Sequence, residues 1–152
     1  MLGHGDNTKP IAYIDIRVFS HATEDSEKVR KAVTNLLPDE ARPIISFQKE
    51  NLTGHHGNLI LLLSTRLEDK KLLPEALSKI GSELNSMDKE ELCENLKLHL
   101  DRGNLYLRFN KQSAFLGQFS FSQNDPIHMK IHFKNKSSGE ITELCKNSGL
   151  LP

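Results

Sequence analysis

The stretch that decides the fold is Ile127-His128-Met129-Lys130-Ile131-His132-Phe133-Lys134. Every second residue is apolar, and the residues between are histidines and lysines. Because successive side chains of a β-strand point to opposite faces, this alternation predicts a strand with one buried face and one solvated face. The fold therefore needs a sheet that is covered on one side and polar on the other.

The same alternation occurs in two other segments. In residues 105–110, Leu105, Leu107 and Phe109 face one way, and Tyr106, Arg108 and Asn110 face the other. Residues 11–19 alternate in the same manner, with Tyr13 and Arg17 on the polar side. If this first strand lies in the same sheet, Tyr13 and Arg17 join the polar face of the two later strands.

The segments between these strands carry helical periodicity or further strand patterns. We expect helices that open at Glu24-Asp25, at Leu72, at Asp88 (capped with Glu91 and closed by Gly103) and at Ser137 with Glu140. Further strands are expected at residues 43–49 and 59–65 and around Phe115, Phe119 and Phe121. Strands and helices are grouped and do not strictly alternate. This grouping favours an α+β two-layer sandwich, with a mostly antiparallel or mixed sheet and helices packed on one face.

Length and composition place limits on the protein's class. With 152 residues, we expect a single domain over residues 1–152, with residues 1–9 flexible. The longest apolar run, residues 59–63, is far shorter than the roughly 20 residues of a membrane span. The N-terminus has no apolar signal core, which predicts a cytoplasmic location. Cys93 and Cys145 both fall in apolar helical patterns, which favours buried, reduced thiols.

Charge is balanced overall but unevenly distributed. The chain has 20 basic and 20 acidic residues, which counts against strong phosphate binding by the whole surface. However, residues 67–101 carry nine acids and five bases, whereas residues 102–136 carry six bases and one acid, Asp125. The later strands thus lie in a basic segment, and the middle helices lie in an acidic one.

The polar face of the late strands is the first candidate site. It combines Tyr106 and Arg108 with Lys130 and Lys134. Aromatic rings stack on unpaired bases and Lys or Arg neutralises phosphates, so this combination is suited to single-stranded RNA. The alternative is an ordinary solvated face, since antiparallel sheets commonly leave one side in water.

The segment Gly54-His55-His56-Gly57-Asn58 is the second candidate. His55, His56 and Asn58 supply polar groups that suit a phosphate or a base, and the glycines permit a tight backbone. A plain hairpin turn with glycines at positive φ is the alternative. Adjacent histidines rarely direct both rings at one ion, so we expect no metal and no other cofactor here. A phosphodiester-cleaving or metal site at this loop is the enzymatic alternative.

Known catalytic templates are missing from the sequence. It contains no P-loop, no dinucleotide-binding glycine pattern, no H-E-x-x-H, no C-x-x-C and no nucleophile elbow. We therefore expect a protein that is not an enzyme.

Taken together, four motifs resemble an archaeal family of small proteins described as RNA-binding or as predicted exosome subunits. They are Ala22-Thr23-Glu24-Asp25, Gly54-His55-His56-Gly57-Asn58, Leu105-Tyr106-Leu107-Arg108-Phe109 with Lys111-Gln112, and Asp125-Pro126-Ile127. The family pattern usually has Pro where this chain has Leu59, and often Asp where it has Asn110.

The resemblance implies a fold similar to that of the large-subunit ribosomal protein that carries five-S RNA. It also implies a non-catalytic role in RNA processing or ribosome biology. An RNA-contact role carries over to His55, His56, Arg108, Lys111 and Gln112. RNA is the expected partner, with exosome or ribosomal proteins as further partners. The alternative is a protein-protein adaptor of an RNA-processing complex, which docks through the acidic helices or an exposed strand edge.

Overall fold

The protein is described by a computed structural model over residues 10–152, except for the side chain of His55. The segment predicted to be flexible, residues 1–9, lies outside the described residues. The strands form one antiparallel sheet in the order β2-β3-β1-β6-β5-β4. They are β1 Ile11–His21, β2 Gln48–Thr53, β3 Leu59–Leu67, β4 Leu100–Asp101, β5 Asn104–Phe109 and β6 Ile127–Phe133.

Helices connect and cover these strands. They are α1 Ser26–Asn35, α2 Leu72–Glu83, α3 Ser86–Glu94, α4 Leu96–His99, α5 Lys111–Phe115 and α6 Ser138–Asn147. Short 3-10 turns occupy Asp39–Ala41 and His55–Gly57. Among the described residues, no helix is long and apolar enough to cross a membrane.

The core lies between the helices and one face of the sheet. Alternate residues of the central strands point into it, such as Ile14 and Ile16 on β1 and Met129 and Ile131 on β6. They form one buried cluster with the apolar stripes of α1, α2 and α6. The α+β fold predicted from the alternating segments is confirmed, and β1 lies in the same sheet as the later strands, next to β6.

Two helix starts follow the predicted chemistry. The Asp25 side chain accepts a hydrogen bond from the backbone N–H of Glu27 at the start of α1. Ser137 and Glu140 form the expected capping box of α6, in which each side chain accepts from the other's backbone N–H. Both caps satisfy backbone donors that the first helical turn leaves without partners.

The helix predicted to run from Asp88 to Gly103 is wrong at both ends. Helix α3 begins earlier, with Asn85 as the cap that accepts from the N–H of Asp88. It ends at Asn95, where ψ is 26° and the chain starts the short helix α4. Gly103, with φ 84°, instead forms with Arg102, φ 52°, the two-residue turn between β4 and β5. Positive φ at both positions is the geometry that a tight hairpin requires.

Two predicted strands also differ from the structure. The strand expected at residues 43–49 lies at 48–53. It pairs with β3 as far as Thr53 and Leu59, which are the last residues before and after the loop 54–58. The strand expected around Phe115–Phe121 is the short helix α5 followed by isolated bridges, including Phe109 with Phe121. Phe119 and Phe121 pack against Phe109, with ring centroids 5.8 Å and 5.5 Å from its own. The spacing of these phenylalanines in the sequence therefore reflects core packing and not a strand.

The cysteines behave differently from each other. Cys145 is buried on α6, as predicted, and burial raises the pKa of its thiol to about 12. Cys93 is exposed on α3, so the prediction that it is buried was wrong. The α3 segment has only Leu92 in the core, which leaves most of its surface in solvent.

Candidate functional site

The face of the sheet opposite the core, hereafter the open face, carries polar side chains in rows that cross the strands. The first row runs from Arg17 on β1 through His128 on β6 to Arg108 on β5, because these residues are direct partners in the antiparallel register. Both arginines are exposed. Within residues 10–152, no carboxylate lies at ion-pair distance from either guanidinium.

The second row contains the counter-charge of the face. Arg66 on β3 lies beside Asp15 on β1, which in turn lies beside Lys130 on β6. Arg66 donates to both carboxylate oxygens of Asp15, at 2.6 Å and 2.9 Å, while Lys130 Nζ is 3.7 Å from Oδ2. Arg66 thus makes the two short, bidentate hydrogen bonds to Asp15. Lys130 makes only the longer contact, so its ammonium can also bind another anion.

Tyr13 is enclosed by its neighbours on the open face. The Arg66 guanidinium lies 3.9 Å from the centre of its ring, and the His132 ring is stacked at 5.0 Å. His132 is itself held by Asn104, with 2.7 Å between Nδ1 and Oδ1. Cation-π and stacking contacts already use the ring faces of Tyr13. The sequence-based suggestion that Tyr13 joins this face is correct, but its surroundings are those of a packing residue.

Tyr106 has a more open environment. Its side chain is 40% exposed, and Leu98 of α4, 84% exposed, lies at the same edge of the sheet. Both residues line a groove of about 510 Å³ together with Arg17, Arg108 and Lys130. The Arg108 guanidinium donates to Gln123 Oε1 at 2.8 Å, which holds it beside this groove. An aromatic ring, an apolar side chain and three cations thus meet on one surface, together with the Asp15 carboxylate, which is paired with Arg66.

His128 lies between the two arginines of the first row. Burial lowers its pKa below the ordinary value, and the positive charges of Arg17 and Arg108 lower it further. The imidazole is therefore neutral at pH 7, since an unperturbed histidine already titrates near pH 6.5. The permanent positive charge of the row comes from the arginines.

Lys111 has a different setting from the one predicted for an RNA contact. Its side chain is 13% exposed. The ammonium donates to the backbone oxygen of Phe19 at 2.7 Å, to Asp125 at 2.8 Å and to Glu24 at 3.1 Å. His21 adds a 3.2 Å contact to Asp125. These contacts join the end of β1, the start of α5 and the turn before β6.

The charges of this cluster act on Asp125. Partial burial acts to raise the pKa of Asp125, but hydrogen bonds from Lys111 and His21 lower it, so that it lies below its ordinary value. The side chains of His21, Glu24 and Asp125 are close enough together to hold a metal ion. The Lys111 ammonium already lies between these carboxylates, which is the arrangement of an ion-pair cluster.

The histidine loop joins β2 to β3 at the edge of the sheet. His56 is exposed with φ 64°, and Gly57 follows with φ 77°; Gly54, at φ −85°, does not adopt the left-handed conformation. Asn58 is exposed, and its backbone oxygen accepts from Gly54 N at 2.7 Å. The side chain of His55 lies outside the described part of the structure.

The sequence-predicted site residues are not all in one place. Tyr106, Arg108 and Lys130 share the open groove. Lys134 is exposed in the turn after β6, at the other end of the sheet from the histidine loop. Gln112 is exposed on α5, beside Lys111. The loop belongs to strands β2 and β3, on the far side of β1 from the groove.

Comparison with known proteins identifies the family. A family model described as RNA binding matches residues 13–133, which include β1, the histidine loop, β5 and β6. The chain belongs to this RNA-binding family. RNA-binding protein PAB1135 of Pyrococcus abyssi is 36% identical over 124 residues, which is 80% of each chain.

Solved structures of similar proteins have the same fold. Mth689, a DUF54 protein from Methanothermobacter thermautotrophicus, is 27% identical, with a TM-score of 0.74 over 94% of this chain and 99% of its own. Protein AF2318 of Archaeoglobus fulgidus is 25% identical with a TM-score of 0.74, over 91% and 99%. The α+β architecture is thus shared by these proteins.

In this member of the RNA-binding family, sequence analysis missed several residues of the groove. Leu98 was taken as part of a longer helix, and Gln123 lies in a turn between elements. Their nearness to Arg108 depends on the break at Asn95 and on the path of the chain after α5. No local periodicity signals either feature. Arg17, by contrast, follows directly from the alternation of β1.

Proposed function

We propose that this protein binds single-stranded RNA on the open face of its sheet. The observation that carries the proposal is the row Arg17–His128–Arg108, in which two exposed arginines without carboxylate partners in residues 10–152 lie on either side of a neutral histidine. Each arginine can neutralise a phosphate. Membership of the RNA-binding family and the name of the relative from Pyrococcus abyssi support RNA as the ligand.

Tyr106 is the proposed stacking residue. It is exposed beside Arg108 and Lys130, whereas the ring of Tyr13 is covered by Arg66 and His132. Stacking on an aromatic ring requires a base whose face is free. In a duplex the base faces are covered by their neighbours, so this combination favours unpaired RNA.

The outer predicted contacts extend this surface. Lys134 lies six residues beyond His128, at about 3.3 Å per residue of strand. His55, His56 and Asn58 belong to the loop at the other end of the sheet. We propose that they contact RNA only as a longer strand continues past the groove. Gln112 is proposed in the same role, while Lys111 is proposed to support the fold.

The direct test is binding of a short fluorescent single-stranded RNA, followed by anisotropy at several salt concentrations. We expect binding that weakens linearly in a log–log plot against salt, and weaker binding of the same sequence as a duplex. Undetectable affinity at low salt would remove the proposal. Arg17→Ala combined with Arg108→Ala should weaken this binding. The matched control, Lys70→Ala with Lys146→Ala, removes two positive charges from exposed positions outside the open face and should retain the affinity.

A second candidate function is docking to a protein of an RNA-processing assembly, such as the exosome or the ribosome. It is favoured by the acidic segment 67–101 and by two exposed apolar side chains within that segment, Met87 on α3 and Leu98 on α4. Capture from native extract distinguishes the two functions. A stoichiometric partner that survives nuclease treatment supports docking, and loss of all partners with nuclease supports RNA binding.

A further inference from the structure

A second concave site lies next to the open groove, at the edge of β5. This site, hereafter the edge pocket, has a volume of about 480 Å³. It is lined by Asp88, Glu91, His99, Phe121 and Gln123, and it shares Tyr106 and Arg108 with the groove. It lies where β4 ends, because β4 pairs only with Leu105 and Asn104 of β5. The edge pocket therefore adjoins the groove, with Tyr106 and Arg108 in the walls of both.

The walls of the pocket are held by backbone contacts. His99 Nδ1 lies 2.9 Å from the backbone oxygen of Tyr106, and since a carbonyl only accepts, Nδ1 carries the proton. Further along the same edge, the N–H of Ser122 donates to the backbone oxygen of Arg108 at 3.0 Å. His99 and Phe121 lie with their rings 28° apart, at 6.3 Å between centroids. The pocket is therefore preformed and has aromatic walls.

Acceptor groups dominate one side of the pocket. The Oε2 atom of Glu91 is buried, accepts no hydrogen bond within residues 10–152, and lies 3.5 Å from His99 Nε2. The Glu91 side chain is nevertheless 44% exposed, so the rest of its carboxylate group remains accessible. Asp88 Oδ2, in contrast, already accepts from the backbone N–H of Phe121 at 2.8 Å and from Asn85 at 2.7 Å. Oε2 faces His99 and is closed to a ligand, so Oε1 of Glu91 is the carboxylate oxygen with spare acceptor capacity.

A donor group lies on another wall. Arg108 is held by Gln123 through one of its nitrogens, at 2.8 Å, which leaves other N–H groups of the guanidinium for a ligand. The lining of the pocket thus combines a carboxylate oxygen, a guanidinium held by Gln123, and aromatic rings. A complementary ligand is flat, has N–H donors for the carboxylate oxygen and has a keto oxygen for the arginine.

We propose that the edge pocket binds guanine, so that the RNA of the open face is read at one position. Guanine has two adjacent donors, N1–H and the exocyclic amino group, beside the acceptor O6, and arginine is a common partner of that oxygen. Uracil has a single N–H between two oxygens, and these oxygens would face the carboxylate. The inference rests on the proposed RNA binding of the open face.

The test uses matched ligands. A short oligouridine with one central guanosine is compared with the same strand carrying inosine, which lacks only the amino group, and with plain oligouridine. We expect the guanosine strand to bind about tenfold more tightly than the inosine strand, which is typical of a lost hydrogen bond to a charged group. Equal binding of the guanosine and inosine strands would overturn the guanine pocket.

Protein variants give an independent readout. Glu91→Gln keeps the shape of the side chain but removes its charge, and should lose most of the preference for guanosine over inosine. Glu90→Gln, an exposed neighbour that does not line the pocket, should keep it. A preference that survives Glu91→Gln overturns the proposal. Tight, equal binding of all strands removes only the guanine pocket, whereas no binding of any strand removes RNA binding as well.

Discussion

The two faces of the sheet are built by the same strands but are held by different forces. On β5, Leu107 is 1% exposed in the core, while its neighbours Tyr106 and Arg108 lie on the open face. Apolar burial stabilises the covered face, at roughly 25 cal/mol per Å². The open face is held mainly by cross-strand polar contacts such as Arg66 with Asp15. Substitutions on the first should therefore change stability, and substitutions on the second should change ligand binding.

Substitutions at adjacent residues of β5 should show the largest difference between the two faces. Leu107→Ala should lower the free energy of unfolding by about 2–5 kcal/mol, since it leaves a cavity in the core. Tyr106→Ala should change it by about 0.5 kcal/mol or less, as expected for an exposed site, but should weaken RNA binding. Urea denaturation followed by circular dichroism measures the first effect, and anisotropy measures the second. The comparison fails if both variants lose similar stability.

Substitution of Lys111 tests whether this residue supports the fold or contacts RNA. Lys111→Met should lower the free energy of unfolding by about 2 kcal/mol, less than the about 3–5 kcal/mol for breaking a fully buried pair, because Glu24 and Asp125 are partly exposed. RNA affinity of the folded variant should stay within about twofold. Lys28→Met, an exposed lysine of α1, is the matched control. A large loss of affinity with unchanged stability would place Lys111 in the RNA site.

The pH dependence of the stability difference between the wild-type protein and Lys111→Met tests the contribution of the Asp125 charge. The pKa of Asp125 is lowered in the folded protein, so its contribution to stability is present above the unfolded-state value of about 3.9 and is lost as the pH falls below it. The wild-type protein and Lys111→Met should therefore converge in stability under acidic conditions. A difference that stays constant down to about pH 2 would contradict the ion-pair account.

On the open face, Arg17→Ala combined with Arg108→Ala should weaken RNA binding by about tenfold or more without a large change in stability. With an oligouridine strand, which has no guanine for Arg108, each neutralised phosphate contributes about 0.7 to the salt slope, so the slope should fall by about 1.4. Anisotropy titrations over a range of salt concentrations give both quantities. An unchanged slope would mean that these arginines do not contact phosphates.

The smallest expected effect comes from His128. Its pKa is lowered in the free protein by burial and by the neighbouring arginines. Bound phosphates would offset the arginine charges and favour its protonation, so by linkage RNA affinity should rise as the pH falls below the ordinary histidine value of about 6.5. We expect the rise to be a few-fold larger for the wild-type protein than for His128→Asn. Identical pH profiles of the two proteins would contradict this coupling.

Much of both faces could be predicted from the sequence, because strand alternation is a local property. The buried set on β5 and β6, and the exposed Arg108, follow from it directly. The environment of Lys111 could not be predicted, since its partners Phe19, Glu24 and Asp125 are 92, 87 and 14 residues away. The family resemblance implies an RNA contact for Lys111, whereas its ion-pair cluster supports the structural role proposed above.

The edge pocket shows a second limit of sequence analysis. Its walls come from α3, α4, β5 and the irregular chain after α5. The periodicity of residues 88–100 predicts one continuous helix, but the chain breaks at Asn95, and this break brings His99 to the edge of β5. A helix pattern records which residues are apolar, not where the helix bends. The pocket therefore becomes visible only in three dimensions.

The most direct test of the central claim is a map of the RNA contact on the protein. Amide chemical shifts of the isotope-labelled protein are followed by NMR while a single-stranded RNA is added. If RNA binds the open face, the largest shifts will fall on β1, β5 and β6 around Arg17, Arg108 and Lys130, with little change on α1 and α6. Shifts concentrated on the helices, with the open face unchanged, would contradict it.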